Sequence, residues 1–258
     1  MSTSTVLLRL EGPVQGWGSA GSRWDFRSTE NRPTKSAVIG LVANALGRNY
    51  DDPIDDLAAL RFGVRADRPG HIEFDYRTAG GGSFPLDART LQDAEAITGK
   101  TDPIRTNLLG RTTRYGAPRG AFDWSEKGRG TVLRHQTLLV DAGFIVALTG
   151  PSALAAEVAE ATASPARLLC LGRKANPPAY EVRHGLLAGD RHSTWFNEVP
   201  LLPTATDTTP QTWIEEFSEQ ASVTYEQPTT GQKPGGAKKG LPLVFFNATP
   251  PTPEEVAA

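Results

Sequence analysis

Arg9–Ser19, RLEGPVQGWGS, follows directly on the apolar run TVLL at Thr5–Leu8. Residues Thr5–Leu10 join a β-branched pair to leucines, which predicts a short buried strand stopping at Gly12-Pro13. Glycines 12, 16 and 18 then crowd around Gln15 and Trp17. A turn uses Gly and Pro for their backbone angles, but it has no need of a tryptophan between glycines. Either Trp17 plugs a core, or the backbone is kept bare so that a ligand can approach it.

Working outward, RSTENRPTKSAVIGLVANALGR (27–48) predicts a helix over about Lys35–Leu46. Pro33 disfavours helix before it, Thr34 is a good N-cap, and Val38, Leu41, Val42 and Ala45 recur at helical spacing until Gly47. LRFGVRAD (60–67) and HIEFDYRTA (71–79) alternate around an RPG turn and predict a hairpin. QTLLVDAGFIVALTG (136–150) predicts a strand or strand pair. PSALAAEVAEATAS (151–164) predicts a helix opened by proline, and RLLCLGRK (167–174) a last short strand. The order strand, helix, strands, strand, helix, strand is that of a ferredoxin-like or RRM-like α+β plait with a long insertion before its third core strand. We place this domain at 1–176, the insertion at about 80–134, and a small β-rich C-terminal domain with a flexible tail at 177–258. The PTTGQKPGGAKKG segment (228–240) reads as a flexible connection.

The chain has 258 residues, 38% hydrophobic and 22% charged, the balance of an ordinary globular protein. Its start lacks the pattern of a signal peptide and no apolar run is long enough to span a membrane, so the expected location is the cytoplasm, with no membrane partner. One cysteine, Cys170, excludes an intrachain disulfide, and with four scattered histidines it offers no thiol-based metal cluster; no metal and no cofactor are expected. The net charge of −2 conceals segregation. Between Lys100 and Arg134, Lys100, Arg105, Arg111, Arg114, Arg119, Lys127, Arg129 and Arg134 face only Asp102, Asp123 and Glu126, which makes a local positive field.

Candidate sites follow from these placements. Thr34, Lys35 and Ser36 start a helix, where free N–H groups and the dipole favour an anion, although a cap and a solvated lysine explain the same residues. Arg173 and Lys174 after Gly172 are either a surface turn or a second cationic point. In a plait the loop after the first strand and the loop beside the last lie close together, so these weak anion signals converge. The glycines of GPVQGWGS lack either phosphate-loop spacing. For catalysis, His135 beside Arg134 and Tyr115 among arginines are the available proton-moving groups, and no nucleophile triad can be built from spacing.

The residues LLRLEGPVQGWGS followed by PTKSAVIGLVANALGR resemble the N-terminal signature of the CasD family, the guide-RNA 5′-handle-binding subunit of type I-E CRISPR Cascade complexes. The resemblance is strong over about the first fifty residues, and TLLVDAGFIVALTG and CLGRKANPP extend it to about Pro178. It implies an RRM-like domain with a long β-hairpin thumb, at the place of the basic excursion, and a small C-terminal β domain. It further implies a non-catalytic crRNA-binding role in antiviral defence. The partners implied are the crRNA 5′ handle, the adjacent backbone subunit, the large target-recognising subunit and, through the complex, target DNA.

On that basis the RNA-binding set is Gln15, Trp17, Gly18, Arg27, Thr34, Lys35, Ser36, Arg105, Asn107, Arg111, Arg114, Tyr115, Arg173 and Lys174, with no catalytic residue. Gln15 would read a base edge, Trp17 would stack or prop the loop, and Gly12, Gly16 and Gly18 would clear space for a nucleotide. The rivals are a metal-independent endoribonuclease processing CRISPR repeat RNA, and a scaffold whose basic excursion docks an acidic protein.

Overall fold

A computed structural model describes residues 2–18, 26–79, 132–228 and 239–251. Two compact units emerge, residues 75–136 and the remainder of the chain. In the larger unit β1 (Thr3–Gln15), β5 (Arg61–Arg68), β7 (Val132–Pro151), β8 (Arg183–Ala188), β9 (Gln211–Glu215), β10 (Ser222–Gln227) and β11 (Lys239–Asn247) form an antiparallel sheet in the order β10-β11-β9-β5-β7-β1-β8. The short β3 (Phe26–Arg27) also pairs with β7, and β2 (Trp17–Gly18) pairs with β4 (Thr29–Glu30). The protein is thus mixed α and β around one large antiparallel sheet.

Alternation along β1 sets the two faces. Val6, Leu8 and Leu10 point to one side, where they meet Phe62, Val64, Phe144, Val146 and Leu148 from the neighbouring strands. That face is covered by α1 (Lys35–Ala45) through Val38, Ile39, Leu41 and Val42, and by α3 (Ser152–Ala163) through Val158 and Ala159. The short α2 (Asp55–Ala58) adds Leu57. Leu7, Ile145 and Ala147 point the other way, onto Trp195 and Phe196 of α4 (Trp195–Glu198) and Ile214 of β9. On this second face the fully buried Arg65 gives its guanidinium to Asp67 and to the carbonyls of Phe196, Val199 and Pro200, tying the α4 loop to β5.

Several expectations change. β1 does not stop at Gly12-Pro13 but runs to Gln15, pairing Gly12 with Ala142 and Val14 with Val140. Proline has no N–H to give, and the residue facing it, Asp141, sits out of the ladder at φ 54°, so no bond is broken. The expected hairpin does not form, because β6 (His71–Ala79) pairs with β7 rather than β5. The twenty residues of β7 are long enough to serve both, with Gly70 at φ 67° making the bend between them.

RLLCLGRK is not a strand. Leu171 N–H donates to Asn176 O and Asn176 N–H to Arg173 O, so the segment folds into a tight turn, and β8 takes the place beside β1. Residues from 177 onward are β-rich, and their strands enter the same sheet at both ends. In the smaller unit the described residues are the remaining parts of β6 and β7, where Gln136 donates to Asp75 and the rings of Tyr76 and His135 meet edge-on at 5.1 Å.

Candidate nucleic-acid interface

At the end of β1 the Gln15 side chain is fully buried. Its amide donates to Ala142 O at 2.8 Å and to Leu10 O at 3.3 Å, and its oxygen accepts the Trp17 indole N–H at 2.9 Å. Trp17 is likewise 0% exposed, lies in the main apolar cluster, and is anchored by its main-chain N–H donating to Thr29 Oγ1 at 2.8 Å. This corrects the base-reading role expected of Gln15 and, of the two readings open for Trp17, favours the core plug. Gln15 is the internal strut that lets an indole N–H be buried with a partner, and Trp17 is the core plug.

The glycines explain themselves in the same way. A Cβ on Gly12 would come within 2.9 Å of Leu171 Cδ1, and one on Gly16 within 2.8 Å of Arg173 Nε. Gly172, at φ 80°, lies so close that a Cβ there would overlap the Gly16 carbonyl, while Gly16 N–H donates to Leu171 O at 3.1 Å. Gly12 and Gly16 therefore make room for the chain's own 171–177 turn rather than for a nucleotide. The loop after β1 and the 171–177 turn do meet.

What this interlock leaves outside is a cationic rim. Gly18 is exposed, and among the described residues nothing lies within 4 Å of where a Cβ would stand. Arg27 and Lys174 are exposed, and Arg173 is half-buried, its guanidinium donating to Thr137 O at 3.1 Å and Arg27 O at 3.4 Å. Burial pushes the Cys170 thiol up, with the nearby Lys174 charge acting against it. The carbonyls fix where Arg173 projects, so the rim holds arginine and lysine beside a backbone that lacks side-chain bulk at Gly18. That is the chemistry of phosphate contact.

The helix start is built differently from expectation. Thr34 is the N-cap of α1, but its hydroxyl makes no cap bond and is buried with no partner among the described residues. The anion at this terminus is the carboxylate of Glu226, which accepts from Lys35 N–H at 2.7 Å, from Arg32 at 2.8 Å and from Thr224 at 2.7 Å. Lys35 is 1% exposed and gives its ammonium to Glu215, which also accepts Phe62 N–H. Burial holds Lys35 below its ordinary pKa, with Glu215 and Glu226 opposing the shift. Thr34 and Lys35 consequently serve an internal network, and Ser36 is half-buried in the first turn.

Of the expected set, the structure therefore leaves Gly18, Arg27 and Lys174 exposed, sets Arg173 half-buried against Arg27, and places Gln15, Trp17, Thr34 and Lys35 inside. Arg105, Asn107, Arg111, Arg114 and Tyr115 lie outside the described residues. Sequence reasoning missed Glu226, Glu215 and Arg32, for which no local signal exists, since Lys35 and Glu226 are 191 residues apart. Among the described residues no group of acids, histidines and cysteine could hold a metal ion, and no helix is long and apolar enough to cross a membrane.

Comparison with known proteins places this sheet and its loops in a defined class. Residues 5–246 match the family described as CRISPR-associated protein (Cas_Cas5), and the chain belongs to that family. It is 30% identical over 206 residues to the CRISPR system Cascade subunit CasD of Escherichia coli (strain K12), covering 77% of this chain and 78% of that protein. Among solved structures it is similar to a chain of a CRISPR RNA-guided surveillance complex, at 28% identity and TM-score 0.68, covering 96% of this chain and 91% of the other. A second, described as a Cas protein, aligns at 26% identity and TM-score 0.62 over 95% of each chain.

Proposed function

We propose that this chain is a non-catalytic subunit of a type I-E Cascade surveillance complex that holds the 5′ handle of the guide RNA. The observation that carries this is the interlock of Gly16 with Gly172, which holds Arg173 against the Arg27 carbonyl, with Lys174 next to it in sequence and the exposed Gly18 two residues on from Gly16, in a chain of this CRISPR-associated family. Cations on fixed backbone bind RNA phosphates without needing a particular base, and Gly18 lets the sugar-phosphate chain come close.

The strand order supports an RRM-like core. In β1-α1-β5-β7-α3-β8 the four strands lie side by side as β5-β7-β1-β8, the arrangement of a ferredoxin-like plait. The pairing of β6 with β7 supports the start of a thumb; Arg105, Asn107, Arg111, Arg114 and Tyr115, which lie outside the described residues, would be its contacts to the RNA. The adjacent backbone subunit and the large target-recognising subunit would be its protein neighbours, and target DNA would be reached only through the complex. The site would work in a cytoplasmic ribonucleoprotein.

The test is a reconstituted complex carrying Arg27→Ala, Arg173→Ala and Lys174→Ala together. Guide RNA should be retained less well, with a salt slope shallower by about 0.7 for each phosphate that the protein no longer neutralises. An unchanged slope in a folded, assembled variant would move the RNA site elsewhere.

One observation favours the endoribonuclease instead. His135 is exposed and its ring meets that of Tyr76, so two groups able to move protons stand together. Incubating the isolated chain and its His135→Ala variant with repeat RNA separates the readings; cleavage that depends on His135 would establish an enzyme.

A further inference from the structure

β10 is the last strand of the sheet and, among the described residues, pairs only with β11. Its register sets Val223 opposite Pro242 and Tyr225 opposite Gly240. Glu216 N–H donates to Pro242 O at 3.2 Å, so the main-chain groups of Pro242 face β9 and not β10. In an antiparallel ladder the residue opposite such a position turns its own N–H and C=O away from its partner. Val223 therefore presents both groups outward from the sheet edge, and Tyr225, two residues on, repeats the arrangement.

The side chains of the same residues are exposed as well, 60% for Val223 and 66% for Tyr225. Thr224 and Glu226 point to the opposite face, where Glu226 is bound by Arg32 and Lys35. Val223 lines a shallow cleft with Pro242, Glu219 and Phe217, the last of these 89% exposed. Edge strands are ordinarily guarded by lysines, prolines, bulges or a covering element. The irregularity of β10 lies past these positions, between Tyr225 and Gln227; Val223 and Tyr225 carry no charge, and among the described residues no strand pairs with their outward amides.

We infer that the outer edge of β10 takes up an extended strand of a partner protein, one with alternating apolar residues flanked by lysine or arginine. Main-chain bonds to Val223 and Tyr225 would hold it, and the apolar residues would cover Val223, Tyr225 and Phe217. The charge of the rim selects the partner: Glu216 and Glu219 are exposed at the Phe217 end of the cleft, while the described cation, Lys239, faces Gln227 at the other end of β10, so a basic flank is favoured at the Phe217 end and a phosphate backbone is repelled there. This site is separate from the cationic rim and does not rest on the RNA-binding reading.

The experiment uses the full chain without RNA and a fluorescein-labelled peptide, Lys-Lys-Val-Thr-Val-Thr-Val-Thr-Lys-Lys, titrated up to about 1 mM. Val223→Pro removes only the outward N–H, a position where an edge strand accepts proline. It should leave the melting temperature unchanged and weaken the peptide at least about tenfold. Two peptides N-methylated on alternate residues provide the second measurement on the unaltered chain, because only one of them blocks the amides facing β10. Replacing the lysines with glutamates should weaken binding in a salt-dependent way. The inference is overturned if the peptide fails to bind, if both methylated peptides bind equally, or if Val223→Pro has no effect. It is overturned too if Val223→Pro instead abolishes self-association of the chain or binding of a single-stranded RNA, which would name a different occupant.

Discussion

The carboxylate of Glu226 lies 2.7 Å from the main-chain N–H of Lys35, closing the N-terminus of α1 with a residue from a strand 191 positions later. Helix dipole, Arg32 and Lys35 all meet this one buried acid, so a terminus that looks free in the sequence is already satisfied.

Glu226→Ala should therefore act on stability rather than on RNA. It leaves Arg32 buried without its carboxylate and Lys35 N–H without an acceptor, and breaking a buried pair of this kind costs about 3–5 kcal/mol. Urea denaturation measures the loss. RNA retention per folded, assembled molecule should be unchanged, and a selective fall in retention would place the helix terminus at the RNA.

Trp17→Ala should cost about 3–5 kcal/mol as a large aromatic removed from a closed core. Gln15→Ala should cost about 1–3 kcal/mol, because the Trp17 indole N–H and Ala142 O lose their partner. Thermal melts of both variants check this. Gln15→Ala should discriminate a native RNA handle from a scrambled one as well as the parent does, and a loss of that discrimination would return Gln15 to the RNA.

Gly172→Ala tests the interlock. An alanine at φ 80° is strained and its Cβ meets the Gly16 carbonyl, so the two loops must part, at a cost above about 1 kcal/mol. Arg173 moves with the turn, so guide retention should fall even where the fold survives. Retention equal to the parent, in a variant whose melt shows the destabilisation, would detach the rim from RNA binding.

His192 supplies a pH dependence. Its ring is 5% exposed with Nε2 2.8 Å from Glu215 O, and burial holds it below its ordinary 6.5. Below pH 6.5 the unfolded chain binds a proton that the folded chain resists, so stability is full above 6.5 and falls as pH drops toward the depressed folded value. Denaturation midpoints of the parent and His192→Gln should differ in slope across that window and run parallel above it. Parallel behaviour throughout would mean that the ring is not held neutral.

The local elements were legible where short-range chemistry sets them. Proline 33, the Val38–Ala45 spacing and Gly47 delimit α1 to within a residue, because each acts through its immediate neighbours. RLLCLGRK reads as a strand by composition, yet the ladder place beside β1 goes to RHGLLA at Arg183–Ala188, since Leu171 is committed to Gly16 and Asn176. A segment cannot reveal which of two competitors will win an edge. The same holds for the cationic set: Arg27 and Lys174 stayed exposed, Arg173 is half-buried against two carbonyls, and Lys35 was drawn inside by acids that no window around it contains.

By itself the sequence determined the two long helices, extended structure over 136–150, the absence of an intrachain disulfide and the resemblance at its first fifty residues, because periodicity, turn chemistry and motif are properties of neighbouring residues. Only the tertiary structure decided what the glycines and the amide of GPVQGWGS are for. Gly12 and Gly16 admit residues 171–177, and Gln15 meets a carbonyl at position 142, so their purpose lies in segments more than a hundred residues away that come into contact only once the sheet has formed.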